Sequence, residues 1–227
     1  GSFGGDSSSV TAKITTTSDA AFSKVTDISA TGSAFAAIRT DGSVVTWGNT
    51  QDGGDSSGVA SAINGSSDPT DVVQVYATTS AFAALQKNGA VVTWGDVNNG
   101  GSSSSVSTSL NGQVDVNKIF STSTAFAALK SDGSLVTWGN ANNGGNSSSV
   151  TSDLNGTTDI TKVFTTNTAF AAINTNNKVI TWGYGAYGGD SSSVAALING
   201  SLDADCISTS ASVSSGGTLT INGDKAS

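Results

Sequence analysis

The sequence predicts an all-β protein built as an array of about five units of 44 residues, with sheets packed face to face. Three observations carry this. The first is a recurring stretch: residues 125–139, Ala-Phe-Ala-Ala-Leu-Lys-Ser-Asp-Gly-Ser-Leu-Val-Thr-Trp-Gly, return at 34–48, 81–95 and 169–183. Phe35, Phe82, Phe126 and Phe170 are spaced by 47, 44 and 44 residues, and Trp47, Trp94, Trp138 and Trp182 by the same steps. The second is composition. Only 11% of residues are charged, all 17 acids are Asp, and Ser, Thr, Val, Gly and Asn abound. That mixture disfavours helices and suits strands and turns. The third is patterning. Phe126 and Ala128 fall on one side of their strand and Ala127 and Leu129 on the other, while Val136 and Trp138 oppose Leu135. A strand apolar on both sides is covered on both sides.

Each element of the unit has a local cause. The repeated stretch reads as a β-hairpin, with Asp41-Gly42, Asn88-Gly89 and Asp132-Gly133 supplying turns that need positive φ. The fourth copy has Asn176-Asn177, which still tolerates the left-handed region. A further strand precedes each hairpin, at 72–76, 116–120 and 160–164. After each Trp-Gly comes a Gly/Asn loop, then a Ser-rich run at 53–59, 100–106, 144–150 and 188–194, with a matching start at 1–10. An aliphatic residue follows the run four positions on: Ile14, Ile63, Leu110, Leu154 and Ile198. Asn-Gly then closes four of the five copies. This reads as a helix of one or two turns, capped by Ser or Asp and ended by Asn-Gly. Each unit therefore holds three to four short strands and a short helical turn.

The expected organisation is a single repeat domain over 1–227, with units near 1–48, 49–95, 96–139, 140–183 and 184–227. The ends are irregular. About five extra residues fall around 19–24, and the last unit keeps the helical turn and Ile207-Ser-Thr-Ser but loses the Phe and Trp. Its final stretch, 217–223, resembles a degenerate return strand. Atypical terminal units suit a capped array. Because 1–10 and 223 match two sides of one junction, a ring closed between the first and last units is the other reading. The chain lacks an initiator Met and looks like a piece of a longer or processed polypeptide.

The motif Asp-Gly-Ser-Leu-Val-Thr-Trp-Gly-Asn, followed by Gly-Gly and preceded by Ala-Ala-Leu and by Val-Phe/Tyr-x-Thr, resembles the regulator-of-chromosome-condensation repeat. The resemblance covers four units, about half of each, and implies β-propeller blades. The His that often precedes the family's Ala-Leu pair is absent, a Gly-Gly-x-Ser-Ser segment replaces its Gly-Gln-Leu-Gly, and family members commonly close with seven blades. Only the fold is carried over. This Ser/Thr/Ala-rich version looks like the units of large, repetitive bacterial surface proteins.

The chemistry available is narrow. The chain has no His, no Glu and a lone Cys206, so the usual bases, nucleophile pairs and thiolate metal sites are missing. No enzyme activity, cofactor or metal is expected. Gly-Gly-Asp-Ser-Ser at Gly4, Gly53 and Gly188 carries oxygen ligands that suit Ca²⁺, but Ser102 and Asn146 replace the Asp in the other copies. The Asp residues repeat with the turns and read as turn formers. The four Trp read as core residues. Asn64, Asn146, Asn155 and Asn199 sit in glycosylation sequons of a composition that produces them by chance. Net charge of −8, with one Arg and eight Lys, argues against nucleic acid or an anionic membrane. No apolar run reaches 18 residues, so no membrane insertion is expected.

Tyr184 and Tyr187 stand apart. They replace Asn140 and Asn143 of the preceding unit in a loop that is polar elsewhere, and loop aromatics beside a Gly read as ligand or partner contacts. The expected function is a non-enzymatic, extracellular or cell-surface module for adhesion or for surface or filament assembly. Its partner would be a protein or glycan surface, or another copy. The alternative is a propeller-type binding module or secreted inhibitor that recognises one protein through its loops.

Overall fold

The computed structural model of the chain describes residues 24–65 and 70–199 together with strands Ala211–Val213 and Leu219–Ile221. The chain forms two compact units, Gly1–Ser191 and Ser192–Ser227. The matching start at 1–10, Ile14, most of the insertion near 19–24, Pro69, Cys206, Ile207-Ser-Thr-Ser and Gly223 lie outside the described residues.

The described residues of the first unit form four three-stranded antiparallel sheets, each in simple up-and-down order. They are β1 (Val25–Ala30), β2 (Ala34–Arg39) and β3 (Val44–Gly48); β4 (Val72–Ala77), β5 (Ala81–Gln86) and β6 (Val91–Gly95); β7 (Val116–Ser121), β8 (Ala125–Lys130) and β9 (Leu135–Gly139); and β10 (Ile160–Thr165), β11 (Ala169–Asn174) and β12 (Val179–Gly183). The register is the same in every sheet: Phe35, Phe82, Phe126 and Phe170 pair with Trp47, Trp94, Trp138 and Trp182. A register shift recurs near the start of each first strand. It places Val72 with Val75, Val116 with Ile119, and Ile160 with Val163 inside the core rather than on alternate faces. This is a blade array of the propeller type, all-β as the composition predicts.

The hairpin turns are three residues long rather than two. In the third sheet the Gly133 N–H donates to the Lys130 carbonyl, and the Lys130 N–H to the Ser134 carbonyl. A type I turn is thus followed by one left-handed residue, Gly133 at φ 75°. In the fourth sheet that role falls to Asn177 at φ 61°, as its sequence predicts. The Asp132 carboxylate accepts from the Ser134 N–H at 3.0 Å and the Ser134 hydroxyl at 2.5 Å. That hydroxyl, helped by the backbone N–H and Lys130, holds the Asp132 carboxyl below its ordinary value against slight burial. Its folded pKa is depressed, so its stabilisation is present above the unfolded value and is lost as pH falls through the folded one. Thermal melts should therefore be flat from neutrality to about pH 5 and fall below about pH 4. Ser134→Ala should flatten that acid limb, and an unchanged limb would contradict the assignment.

Packing follows from the two-faced strands. Three buried clusters lie between successive sheets. Ala34, Ala36, Ile38 and Val44 of the first sheet meet Val72, Val75, Phe82, Ala84 and Trp94 of the second, with Ile63 between them. The second and third sheets repeat this through Leu110, and the third and fourth through Leu154. Alanines at 0–1% exposure let the sheets approach closely, and each Phe–Trp pair stacks with centroids 5.2–5.3 Å apart.

The Ser-rich runs form 3₁₀ turns, Ser57–Ala62, Ser104–Ser109 and Ser148–Asp153. The serines directly before them, Ser56, Ser103 and Ser147, make no side-chain cap. The Ser56, Ser103 and Ser147 hydroxyls lie 3.0–3.1 Å from those of Thr46, Thr93 and Thr137 and tie each turn to its outer strand. The residue one further back does the capping, as the expected Asp or Ser in two of the three copies: Asp55 accepts from the Ser57 N–H, Ser102 from the Ser104 N–H and Asn146 from the Ser148 N–H. In the second compact unit, Ser192–Val194 and Ala195–Ile198 are helical. Strands β13 (Ala211–Val213) and β14 (Leu219–Ile221) form an antiparallel pair, and β14 lies within the predicted degenerate strand.

Candidate functional site

The inner strands β1, β4, β7 and β10 lie side by side, and their turns converge. The Gly32 N–H donates to the Thr79 carbonyl, Thr79 to Ser123, and Ser123 to Asn167, at 2.8, 2.9 and 2.9 Å. These links form a rung from each sheet to the next. Around them is a polar depression of about 430 Å³ lined by the turns at 30–32, 77–79, 121–123 and 165–167. Threonines at 31, 78, 122 and 166 recur with the repeat and fix these turns. Each hydroxyl donates to the loop that follows the same blade's Trp-Gly, at Asp52, Asn99, Asn143 and Tyr187. Sequence reasoning overlooked this polar rim, although the spacing of those threonines marked it.

The post-Trp-Gly loops share one backbone and differ in side chains. In the first three, the leading residue caps the helical turn: Asn49, Asp96 and Asn140 accept from Gln51, Asn98 and Asn142 at 2.9, 2.8 and 3.1 Å. The fourth keeps the backbone, with the Tyr187 and Gly189 N–H groups both donating to the Tyr184 carbonyl. It has no side-chain cap, because a phenol ring cannot reach back as an amide does.

Tyr184 and Tyr187 stack on one another at 5.4 Å with 26° between their planes. They are 46% and 66% exposed. The structure thus brings the two sequence-selected residues into one solvent-facing pair. Beside them is a cavity of about 380 Å³ lined by Thr166, Asn167, Thr168 and Tyr187. The Tyr187 position also carries a cost. After the third sheet Asn143 donates its side-chain amide to the Thr124 hydroxyl at 2.9 Å, and after the first Ser33 bonds Asp52. The equivalent Thr168 hydroxyl is buried and has no partner.

Other parts of the surface are less distinctive. A groove of about 500 Å³ runs along β3 past Arg39, Asp55 and Ile63, but Arg39 is engaged by Ser43 and Asp41. Among the described residues no three Asp or Cys side chains come together as a metal-holding group. The Asp residues at 41 and 132 serve turns, and Trp94, Trp138 and Trp182 are 2–5% exposed in the core. Among the described residues no helix is long and apolar enough to cross a membrane.

No family model matches the chain, and no curated protein does. Solved structures similar to it include yeast RCC1 (Prp20) in complex with Kap60, at 19% identity and a TM-score of 0.45. Human WBSCR16 is similar at 17% and 0.45, and the ectodomain of the Physcomitrella patens receptor kinase CR4 at 15% and 0.46. The matches cover 70%, 71% and 74% of this chain. They span less than half of the other chains, at 42%, 48% and 43%. The likeness includes an RCC1 protein, and it is the RCC1 repeat that the Asp-Gly-Ser-Leu-Val-Thr-Trp-Gly motif resembles.

Proposed function

We propose that the chain is a non-enzymatic extracellular or cell-surface module that adheres to a protein or glycan surface through its rim loops. One observation carries the reading. Four loops among the described residues share a backbone set by Trp-Gly and Gly-Gly, and of these only the fourth exchanges its polar side chains for an exposed, stacked Tyr pair. A rigid scaffold with one divergent loop is how binding sites are commonly built. Exposed aromatic rings contribute more to an interface than the Asn they replace. Non-enzymatic action is supported by the absence of His and Glu and by the single Cys.

The test is the double change Tyr184→Asn and Tyr187→Asn, which copies the preceding unit. The fold should survive, and adhesion to cells or coated surfaces should fall at least tenfold, the scale of a lost interface aromatic. Unchanged adhesion by the folded double variant would rule the loop out. The other reading, assembly of a surface layer or filament from the repeats themselves, would then be favoured by a concentration-dependent rise in sedimentation.

A further inference from the structure

Resting on that adhesive reading, we infer that the Tyr184–Tyr187 pair and the adjoining cavity form a subsite for a neutral pyranose sugar. The first argument is chemical. The described lining, Thr166, Asn167, Thr168 and Tyr187, offers a carboxamide and a phenol and no charged side chain, since the Thr166 hydroxyl is engaged by its turn and the Thr168 hydroxyl is buried. A charged ligand taken out of water here would find no counter-charge among the described lining residues. A neutral sugar fits both halves of the site. Its C–H face lies against an aromatic ring, and its hydroxyls both donate and accept.

The second argument is the free hydrogen-bonding capacity of Asn167. Among the described residues the last of the rungs that link successive turns ends there. The Asn167 carbonyl accepts from Ser123, while its N–H and its side-chain amide make no hydrogen bond within the described residues. Asn167 therefore offers donors and an acceptor at the edge of the cavity, next to the Tyr187 ring. A peptide partner would be met better by a row of unpaired backbone groups. Here there is one such group beside a compact pocket.

The third argument is the cost of building the site. Gly53, Gly100 and Gly144 lie under the Phe ring of the following sheet, whereas among the described residues Gly188 has only the Thr166 methyl within 4 Å. Beside it the chain gives up a loop cap at Tyr184 and leaves the Thr168 hydroxyl unpaired. Side chains that break the local rules of their own repeat without a folding gain mark function.

The experiment uses the full chain, ¹⁵N-labelled, titrated with methyl β-D-glucopyranoside, methyl β-D-galactopyranoside and N-acetyl-D-glucosamine. At least one should give saturable amide shifts confined to residues 166–168 and 184–188. Affinity should lie in the millimolar range of single small ligands. Tyr187→Phe should keep the binding. Tyr187→Asn should weaken it at least tenfold while raising the melting temperature, because Asn can bond Thr168 as Asn143 bonds Thr124. No saturable shift with any of the three sugars would overturn the inference, as would shifts that persist in Tyr187→Asn. Adhesion that is lost in the double variant without any sugar shift would keep the adhesive function and reject the sugar.

Discussion

Replacing Trp138 by alanine should destabilise the protein by about 3–5 kcal/mol, the usual cost of removing a buried large aromatic. Trp138 is 2% exposed and stacks on Phe126 at 5.2 Å. Its indole N–H also donates to the Gly100 carbonyl at 3.1 Å, across the junction between the second and third sheets. Alanine therefore opens a cavity and leaves a buried carbonyl unpaired. The same bond ties Trp94 to Gly53 and Trp182 to Gly144. Chemical denaturation followed by far-UV circular dichroism measures the loss. Trp138→Phe separates the two parts, since it keeps a ring for the stack and removes only the donor. A near-native midpoint for the alanine variant would show that this junction does not hold the array together.

Gly100→Ala should be nearly as damaging, by about 2–6 kcal/mol, combining backbone strain with overpacking. Gly100 sits at φ 101°, and a Cβ there would lie 2.6 Å from the Phe126 ring. Neither partner can yield easily. The ring is fully buried, and the Gly100 carbonyl is held by Trp138. The contrast is Gly58→Ala in the 3₁₀ turn Ser57–Ala62, where no heavy atom lies within 4 Å and φ is not left-handed. That change should be neutral or stabilising by up to about 1 kcal/mol. Equal effects at the two positions in thermal or urea unfolding would refute the close-approach argument.

Together these changes indicate where the stability of the array resides. Each sheet has only three strands, and a lone three-stranded sheet with two apolar faces cannot shield both of them. The buried clusters all lie between sheets, each with the helical turn's Ile63, Leu110 or Leu154 inserted. Damage at one junction should therefore spread to the neighbouring blades rather than stay local.

The sequence by itself determined the repeat, the strands and the faces they bury. These are local properties: β-branched and aromatic residues favour the pleat, Asp-Gly and Asn-Asn permit the left-handed turn residue, and a period of two assigns Phe126 and Ala127 to opposite sides. It also singled out Tyr184 and Tyr187, because a repeat exposes any position that departs from it. Only the tertiary structure decided what lies across each junction. The acceptor of the Trp138 N–H is 38 residues upstream, and the turns at Thr79, Ser123 and Asn167 meet in a chain of backbone bonds. The serines that follow the caps, Ser56, Ser103 and Ser147, bond strand threonines, since the folded loop brings those hydroxyls within 3.0–3.1 Å. The unpaired Thr168 hydroxyl was equally invisible in the sequence. Spacing and propensity fix how a segment folds on itself, but a hydrogen bond between segments depends on the distance and angle at which their sheets pack.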